Sequence, residues 1–383
     1  MTTGPDPTVR CRSCRAEVGD VVLDLGHQPS AETFPARSVD PSTDERHRLR
    51  MGLCGACGLA QLMEDPGTVE EQTMVVEPLS MTEQAEATLA FAAAHVPLGA
   101  GTRVVELGSP HGGSLVPRLE AAGLTVLSPG APEAAGSTDV VVDVYGLLHD
   151  ADQTAALAHR VALLRPGGAL VLQLHTLASV IAVGQFSELR HGHFAYWSLP
   201  ALDGALRRHG LGVHRARRFP LDHGTLAVVA TASPEPDDET LSLLAAERAA
   251  GVTDPQVLRT LQHGADVATG HLRDWLVAER DAGRSVMGYG AAGRSVPLLC
   301  HGAIDASLLP AVADAATTKH GRRLPGTDIP IVTPADLLAR RPDRVLLFLP
   351  DLLTEVRRAL PEVEAAGGRW VVLTPAPRVV DPE

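Results

Sequence analysis

Apolar and polar positions along the chain fall into alternating strand-like and helix-like stretches punctuated by glycine. From Thr82 to His95 apolar residues recur at helical spacing, and Gly99-Ala100-Gly101 ends that segment. Short apolar runs then predict strands near 103–107, 124–127, 139–144 and 168–174. A helix from about Gln153 to Leu164 stops at the breaker Arg165-Pro166-Gly167-Gly168. A closing strand pair near 212–217 and 224–231 completes a sheet, and Ser233-Pro234-Glu235-Pro236-Asp237-Asp238-Glu239 reads as a linker. Helical stretches at 239–251 and 254–281 lead into a second unit with strands near 285–287, 309–313, 344–349 and 369–373. Strands alternating with helices and glycine turns predict an α/β fold with Rossmann-like sheets in 76–232 and 233–383, preceded by a small unit over 1–75.

The small unit carries the most specific chemistry. Cys11-Arg12-Ser13-Cys14 and Cys54-Gly55-Ala56-Cys57 are two close cysteine pairs about 40 residues apart. Thiolates at this spacing face one tetrahedral metal, and two such knuckles close a structural zinc site formed by Cys11, Cys14, Cys54 and Cys57. All four positions are filled by protein, so the expected zinc is architectural rather than catalytic. Cys300, beside Leu298-Leu299, reads as a buried small hydrophobe.

Composition narrows the partners. The 383 residues carry a net charge of −13 and no basic run, which argues against nucleic acid. No apolar stretch reaches the roughly 18 residues of a membrane span, and Met1 to Pro7 lacks the features of a secretory signal. A cytoplasmic protein acting on a small molecule is expected, with no nucleic-acid or membrane partner. Lys319 is the sole lysine, so Schiff-base chemistry has one candidate.

Two glycine turns follow strands. Val104-Val105-Glu106-Leu107-Gly108-Ser109 runs through Pro110 and His111 to Gly112-Gly113, a pattern that brings backbone amides close to a ligand. Gly288-x-Gly290-x-x-Gly293 could cradle a phosphate, although tight turns alone demand glycine as well. After the strand near 124–127, where an acidic residue would hold ribose hydroxyls, the chain reads Ser128-Pro129-Gly130. The next strand begins about ten residues later, so one strand-helix unit is missing from the expected sheet.

Several segments in fixed order carry a family resemblance. They are Cys54-x-x-Cys57-Gly58-Leu59-Ala60-Gln61-Leu62, Gly184-Gln185-Phe186, His191-Gly192-His193-Phe194-Ala195-Tyr196, Gly288-Tyr289-Gly290-Ala291-Ala292 and Lys319-His320-Gly321-Arg322. Leu324-Pro325-Gly326-Thr327 and Ile329-Pro330-Ile331 extend the last of these. With the zinc knuckle and two Rossmann-like units, the chain resembles the sugar C-methyltransferases of antibiotic deoxysugar pathways over nearly its whole length. The resemblance implies a central methyltransferase-type domain in which S-adenosylmethionine (SAM) methylates a carbon next to the ketone of a nucleotide-linked keto-deoxysugar, after a histidine base removes the proton. It implies SAM contacts from Glu106, Gly108, Ser109, Gly112 and Gly113. It implies substrate contacts from Gln185, Tyr196, Gly288, Tyr289, Gly290, Arg294 and Arg322.

The departures gather where that chemistry occurs. Pro110-His111 replaces the family's Asn-Asp, Ser128 replaces the ribose acid, and Met74-Val75-Val76-Glu77-Pro78 replaces a tyrosine-rich segment. Several lost contacts of about 1.5–3 kcal/mol each would weaken SAM binding by orders of magnitude. The family's Tyr-His-Glu-His becomes Arg190-His191-Gly192-His193, keeping both imidazoles. A neutral imidazole suits removal of a proton next to a carbonyl, while Arg190 either depresses its pKa or holds an enolate oxygen. Asp222-His223-Gly224-Thr225 stands where the family has His-Gly-Gly-Ser, and His175 ends a strand nearby in sequence. Arg190, His191, His193, His223 and His175 are therefore the catalytic candidates. Three readings follow: an enolate-forming enzyme that no longer methylates, giving epimerase, isomerase, lyase or cyclase chemistry; a true SAM-dependent C-methyltransferase; and a non-catalytic partner of a pathway enzyme.

Overall fold

The computed structural model describes residues 9–67, 79–108, 114–219, 224–374 and 376–382. The amino-terminal part builds β1 (Asp20–Pro29), β2 (Arg46–Leu53) and β3 (Ala60–Leu62), all antiparallel. The chain continues through α1 (Leu79–Ala93), β4 (Arg103–Gly108), α2 (Val116–Ala121), β5 (Thr125–Leu127), β6 (Thr138–Val144), α3 (Gln153–Leu163), β7 (Leu164–His175) and α4 (Leu177–Val183). Then come β8 (Ala195–Tyr196), α5 (Leu199–Arg208), β9 (Gly212–Phe219) and β10 (Thr225–Thr231). Strand β8 leaves the central unit and pairs with β3, giving a four-stranded sheet β1-β2-β3-β8. That sheet was not expected from the sequence: β3 and β8 are too short, at three and two residues, to show usable alternation.

The central sheet has the order β5-β4-β6-β7-β10-β9. Strands β4 to β7 are parallel and β10 and β9 antiparallel, and β5 is an edge. Between β5 and β6 the described chain holds one 3-10 turn, Pro132–Ala134, so the short connection read from the sequence has no added strand. The breaker at 165–168 does not delay β7, which starts at Leu164 with an irregular register. Gly167 takes φ 79°, and a Cβ on Gly168 would lie 2.9 Å from the Asp139 carbonyl oxygen, so glycine lets this strand begin against its neighbour.

Helices α6 (Asp238–Ala249), α7 (Pro255–Leu258) and α8 (Thr260–Asp281) bridge to the third sheet; the single predicted helix over 254–281 breaks at Arg259. The Asp237 side chain caps α6 through the Thr240 amide. The third unit comprises β11 (Val286–Tyr289), α9 (Ser295–His301), β12 (Val312–Ala313), β13 (Ile331–Val332), α10 (Pro334–Arg340), β14 (Arg344–Leu347), α11 (Leu353–Ala359), α12 (Glu362–Ala365), β15 (Arg369–Leu373) and β16 (Pro377–Val379). Its sheet runs β13-β12-β11-β14-β15-β16, parallel except for β16. The chain leaves β11 to one side and returns on the other, so the switch point lies at the carboxyl end of β11.

One apolar core spans all three parts. Leu23, Leu49 and Leu53 of the first sheet pack with Phe186, Leu189 and Tyr196 of the central unit and with Leu272, Leu299 and Ile331 of the third. A buried bidentate pair, Arg323 with Asp44 at 2.6 and 2.7 Å, fastens the amino-terminal part to the third unit. Among the described residues no helix is long and apolar enough to cross a membrane.

Candidate functional site

The two cysteine knuckles meet. The Sγ atoms of Cys11, Cys14, Cys54 and Cys57 all lie within 4.8 Å of one another, with Cys11–Cys57 at 3.6 Å and Cys14–Cys54 at 3.5 Å. A tetrahedron with Zn–S bonds of about 2.3 Å has edges of about 3.8 Å, so these thiols fit zinc with little adjustment. The backbone amides of Ser13 and Cys14 point at Cys11 Sγ from 3.4 Å, as donors to a bound thiolate should. Arg12, inside the first knuckle, donates to the carbonyls of Leu62 and Ala151 at 3.0 Å each and stacks on Phe194 at 4.6 Å. The metal site is thereby tied to the segment that carries the histidines. Cys300 is mostly buried, with its thiol pushed up to about 11 by burial, as a packing residue should be.

On the methyltransferase-like sheet, Glu106 at the end of β4 accepts from Ser114 Oγ and the Leu115 amide at 2.5 Å each, so its carboxylate braces the start of α2. Gly108 is exposed and bridges to Tyr145, closing the carboxyl ends of β4 and β6 together. Tyr145 sits at φ 59°, a conformation a bulky residue rarely adopts, and its hydroxyl meets Thr225 Oγ1 at 2.9 Å. Its ring stacks on His175 at 4.7 Å, and both line a small cavity with Ala195 and Trp197. Asp143, fully buried, is held by Arg160 at 2.5 Å; burial nevertheless pushes its carboxyl above the ordinary range. Ser109, Gly112, Gly113 and His223 lie outside the described residues.

The charged centre forms where the three units meet. His193 and Arg190 come together, with Arg190 Nη2 donating to His193 Nε2 at 2.9 Å. The same Nη2 lies 3.4 Å from His193 Nδ1, so the guanidinium sits close to both ring nitrogens. Glu188, 5% exposed at its side chain, takes Gln185 Nε2 at 3.0 Å and faces Arg294 at 3.5 Å and Arg190 at 3.7 Å. Arg190 Nε is buried and has no hydrogen-bond partner among the described residues. His149 lies edge-on to His193 at 4.6 Å, and its Nδ1 bonds the Gly192 carbonyl at 3.2 Å.

The remaining candidates separate by position. His191 turns toward β2: its Nε2 donates to the Arg48 carbonyl at 3.2 Å, its ring is 1% exposed, and burial lowers its pKa. The Tyr196 hydroxyl donates to the Glu188 carbonyl at 3.0 Å and accepts the Arg190 amide, which shapes the loop; burial raises its pKa. Tyr289 points into the core against Trp370. Gly288 is required by packing, since a Cβ would lie 2.8 Å from both Phe348 and Val312, whereas Gly290 takes φ 90°. Arg322 donates to the Phe34 carbonyl at 2.7 Å and so joins the first unit to the third. Gly293 receives the Glu32 carboxylate, whose Oε1 lies 1.9 Å from where a Cβ would stand. Sequence reasoning missed Glu32, Glu188 and His149. Only Glu188, two residues before Arg190, carried a local signal.

A cysteine-knuckle unit joined to two doubly wound sheets, with a histidine–arginine centre at their junction, defines a methyltransferase-related, zinc-binding α/β protein. Residues 11–68 match a family model described as "Putative zinc binding domain", and 220–375 match the "C-methyltransferase C-terminal domain". The chain is 28% identical over 225 residues to C-methyltransferase NovU of Streptomyces niveus, a match covering 58% of this chain and 54% of that protein. It thus spans about half the length of this curated relative. In these regions the chain is similar to C-methyltransferases and to a zinc-binding domain, in accord with the family resemblance of its sequence. Solved structures with similar parts include magnesium protoporphyrin IX methyltransferase of Synechocystis with bound SAH (13% identity, 40% of this chain and 84% of that one, TM-score 0.31). Another is a SAM-dependent methyltransferase of Mesorhizobium loti (18% identity, 38% and 97%, TM-score 0.28). At such scores they carry no argument about this chain.

Proposed function

We propose that the protein is an enolate-forming enzyme of natural-product biosynthesis, acting in the cytoplasm on a small carbonyl compound and no longer transferring a methyl group. One observation carries the reading: an arginine whose buried Nε–H has no partner among the described residues lies 2.9 Å from His193 Nε2 at the junction of three units. A substrate carbonyl oxygen that takes the Arg190 donors releases His193 Nε2. That nitrogen then accepts the proton from the adjacent carbon as the C–H electrons move into the enolate. Return of the proton to the other face gives an epimer, and return to another atom gives an isomer. Arg190 is the oxyanion holder and His193 the base; His191, buried and turned to Arg48, supports the loop.

Three features of the described residues support a reading without SAM. Glu106 is committed to Ser114 and Leu115, Ser128 stands where an acid would hold the ribose, and β5 is the sheet edge. The scheme therefore includes no methyl donor. The second reading, a SAM-dependent C-methyltransferase acting on a nucleotide-linked keto-deoxysugar, is favoured by the likeness to NovU and would use the same base. Mass spectrometry of protein incubated with SAM separates the two, since stoichiometric retention of SAM or its demethylated product favours methyl transfer. In deuterated water, at least one member of a panel of free and nucleotide-linked keto sugars should acquire deuterium next to the carbonyl. The exchange should be lost in His193→Ala and persist in a folded His191→Gln; persistence in His193→Ala refutes the base assignment.

A further inference from the structure

The glycine turn after β11 is already occupied. Glu32, 8% exposed and carried by the loop after β1, places Oε1 against Gly293, and Arg190 Nη1 lies 3.2 Å from the same Cβ position. Glycine at 293 is thus explained by the close approach of a carboxylate, a demand separate from turn geometry. The surrounding charges also balance. Arg190, Arg294 and Lys319 meet Glu188, Glu32 and Asp314, with Lys319 3.5 Å from Asp314 and bonded to the Ala291 carbonyl at 2.7 Å. Side-chain exposures of 11, 14 and 18% for the three cations leave them little access to bulk water.

A diphosphate brought into this junction would need unpaired cations, because a buried anion is stable only when matched by charge and hydrogen bonds. Here three carboxylates already match the three cations. We propose that Glu32 is a built-in anion that fills the glycine turn, so that the substrate presents no phosphate there and is an uncharged carbonyl compound. Glu32 is then a specificity-determining residue, since it excludes nucleoside diphosphates from the turn while leaving Arg190 to orient a neutral ketone.

This inference rests on the reading of His193 and Arg190 as an enolate-forming pair, but its test does not measure that reaction. Binding of thymidine diphosphate and of inorganic pyrophosphate is measured by calorimetry on the full chain, for wild type, Glu32→Gln, Glu32→Ala and Glu32→Gln/Arg294→Ala. Circular dichroism and thermal melting check that each is folded. Wild type should bind neither ligand below millimolar concentration. Glu32→Gln, which keeps shape and loses charge, should bind at least one of them at least tenfold more tightly, and the added Arg294→Ala should abolish that gain. Micromolar binding to wild type overturns the proposal, and this arm needs no variant to fold. Unchanged affinity in folded Glu32→Gln also overturns it, as does a gain that survives Arg294→Ala. Deuterium exchange reports the enolate reading separately: it can fail while the binding pattern holds, and the reverse.

Discussion

Removing the zinc should loosen the loop that carries His191 and His193, and the structure sets how much. A four-cysteine site holds zinc with an apparent free energy of about 10–16 kcal/mol near neutral pH, comparable to the roughly 5–15 kcal/mol that stabilises a whole domain. Chelation therefore releases both knuckles. The effect on the loop passes through Arg12, which holds the Leu62 and Ala151 carbonyls and covers the Phe194 ring. Charge-assisted bonds contribute about 1.5–3 kcal/mol each and a cation–π contact about 0.5–2 kcal/mol. With Arg12 12% exposed at its side chain, some of this survives as hydration, so about 3–4 kcal/mol is lost locally. At 1.4 kcal/mol per decade, that multiplies local opening by roughly 100 to 1,000. The amides to watch are Leu62, which donates to the Phe194 carbonyl at 3.1 Å, and Phe194, which donates to Leu148 at 2.7 Å. Hydrogen exchange with mass-spectrometric readout, with and without a chelator, should show them accelerated by about that factor while β14 and β15 change little. Equal protection in the stripped protein, with metal loss verified, refutes the coupling.

Asp44→Asn leaves Arg323 buried without its carboxylate and should cost about 3–5 kcal/mol, seen as an earlier melting transition of the joined units; a loss below about 1 kcal/mol would refute the clamp. Burial tends to raise the Asp44 carboxyl, but Arg323 and the Gly326 amide more than offset this and hold it low. Its contribution should therefore persist at neutral pH and fade only as acid titrates the folded protein. His191 also loses stability on acidification, but in a higher pH window. Because burial lowers its folded pKa, the unfolded chain takes up the extra proton as pH falls below about 6.5, and stability declines there. His191→Gln should flatten the urea midpoint between about pH 6.5 and 5; an unchanged slope would refute this. Gly288→Ala forces a methyl to 2.8 Å from Phe348 and Val312 and should destabilise by about 1–3 kcal/mol, measured by thermal melting.

Local sequence determined the elements with strong periodicity and the chemistry with fixed spacing. The runs around Val104, Val140 and Val371 became strands because apolar β-branched residues between polar ends pack into a sheet whatever lies far along the chain. The Cys-x-x-Cys pairs foretold a thiol cluster because two short loops suffice to aim four sulfurs inward. Strands β8 and β13 were not legible, since two residues become a strand only when a distant edge offers its hydrogen bonds. The centre is likewise a product of tertiary structure. His191 and His193 look equivalent in sequence, yet the first is sealed against Arg48 and the second opens toward Arg190. Glu32 reaches Gly293 across 261 residues, and no local pattern encodes such a contact. Charge neutrality at the junction depends on which side chains converge there, and convergence is set by how three separate units share one core.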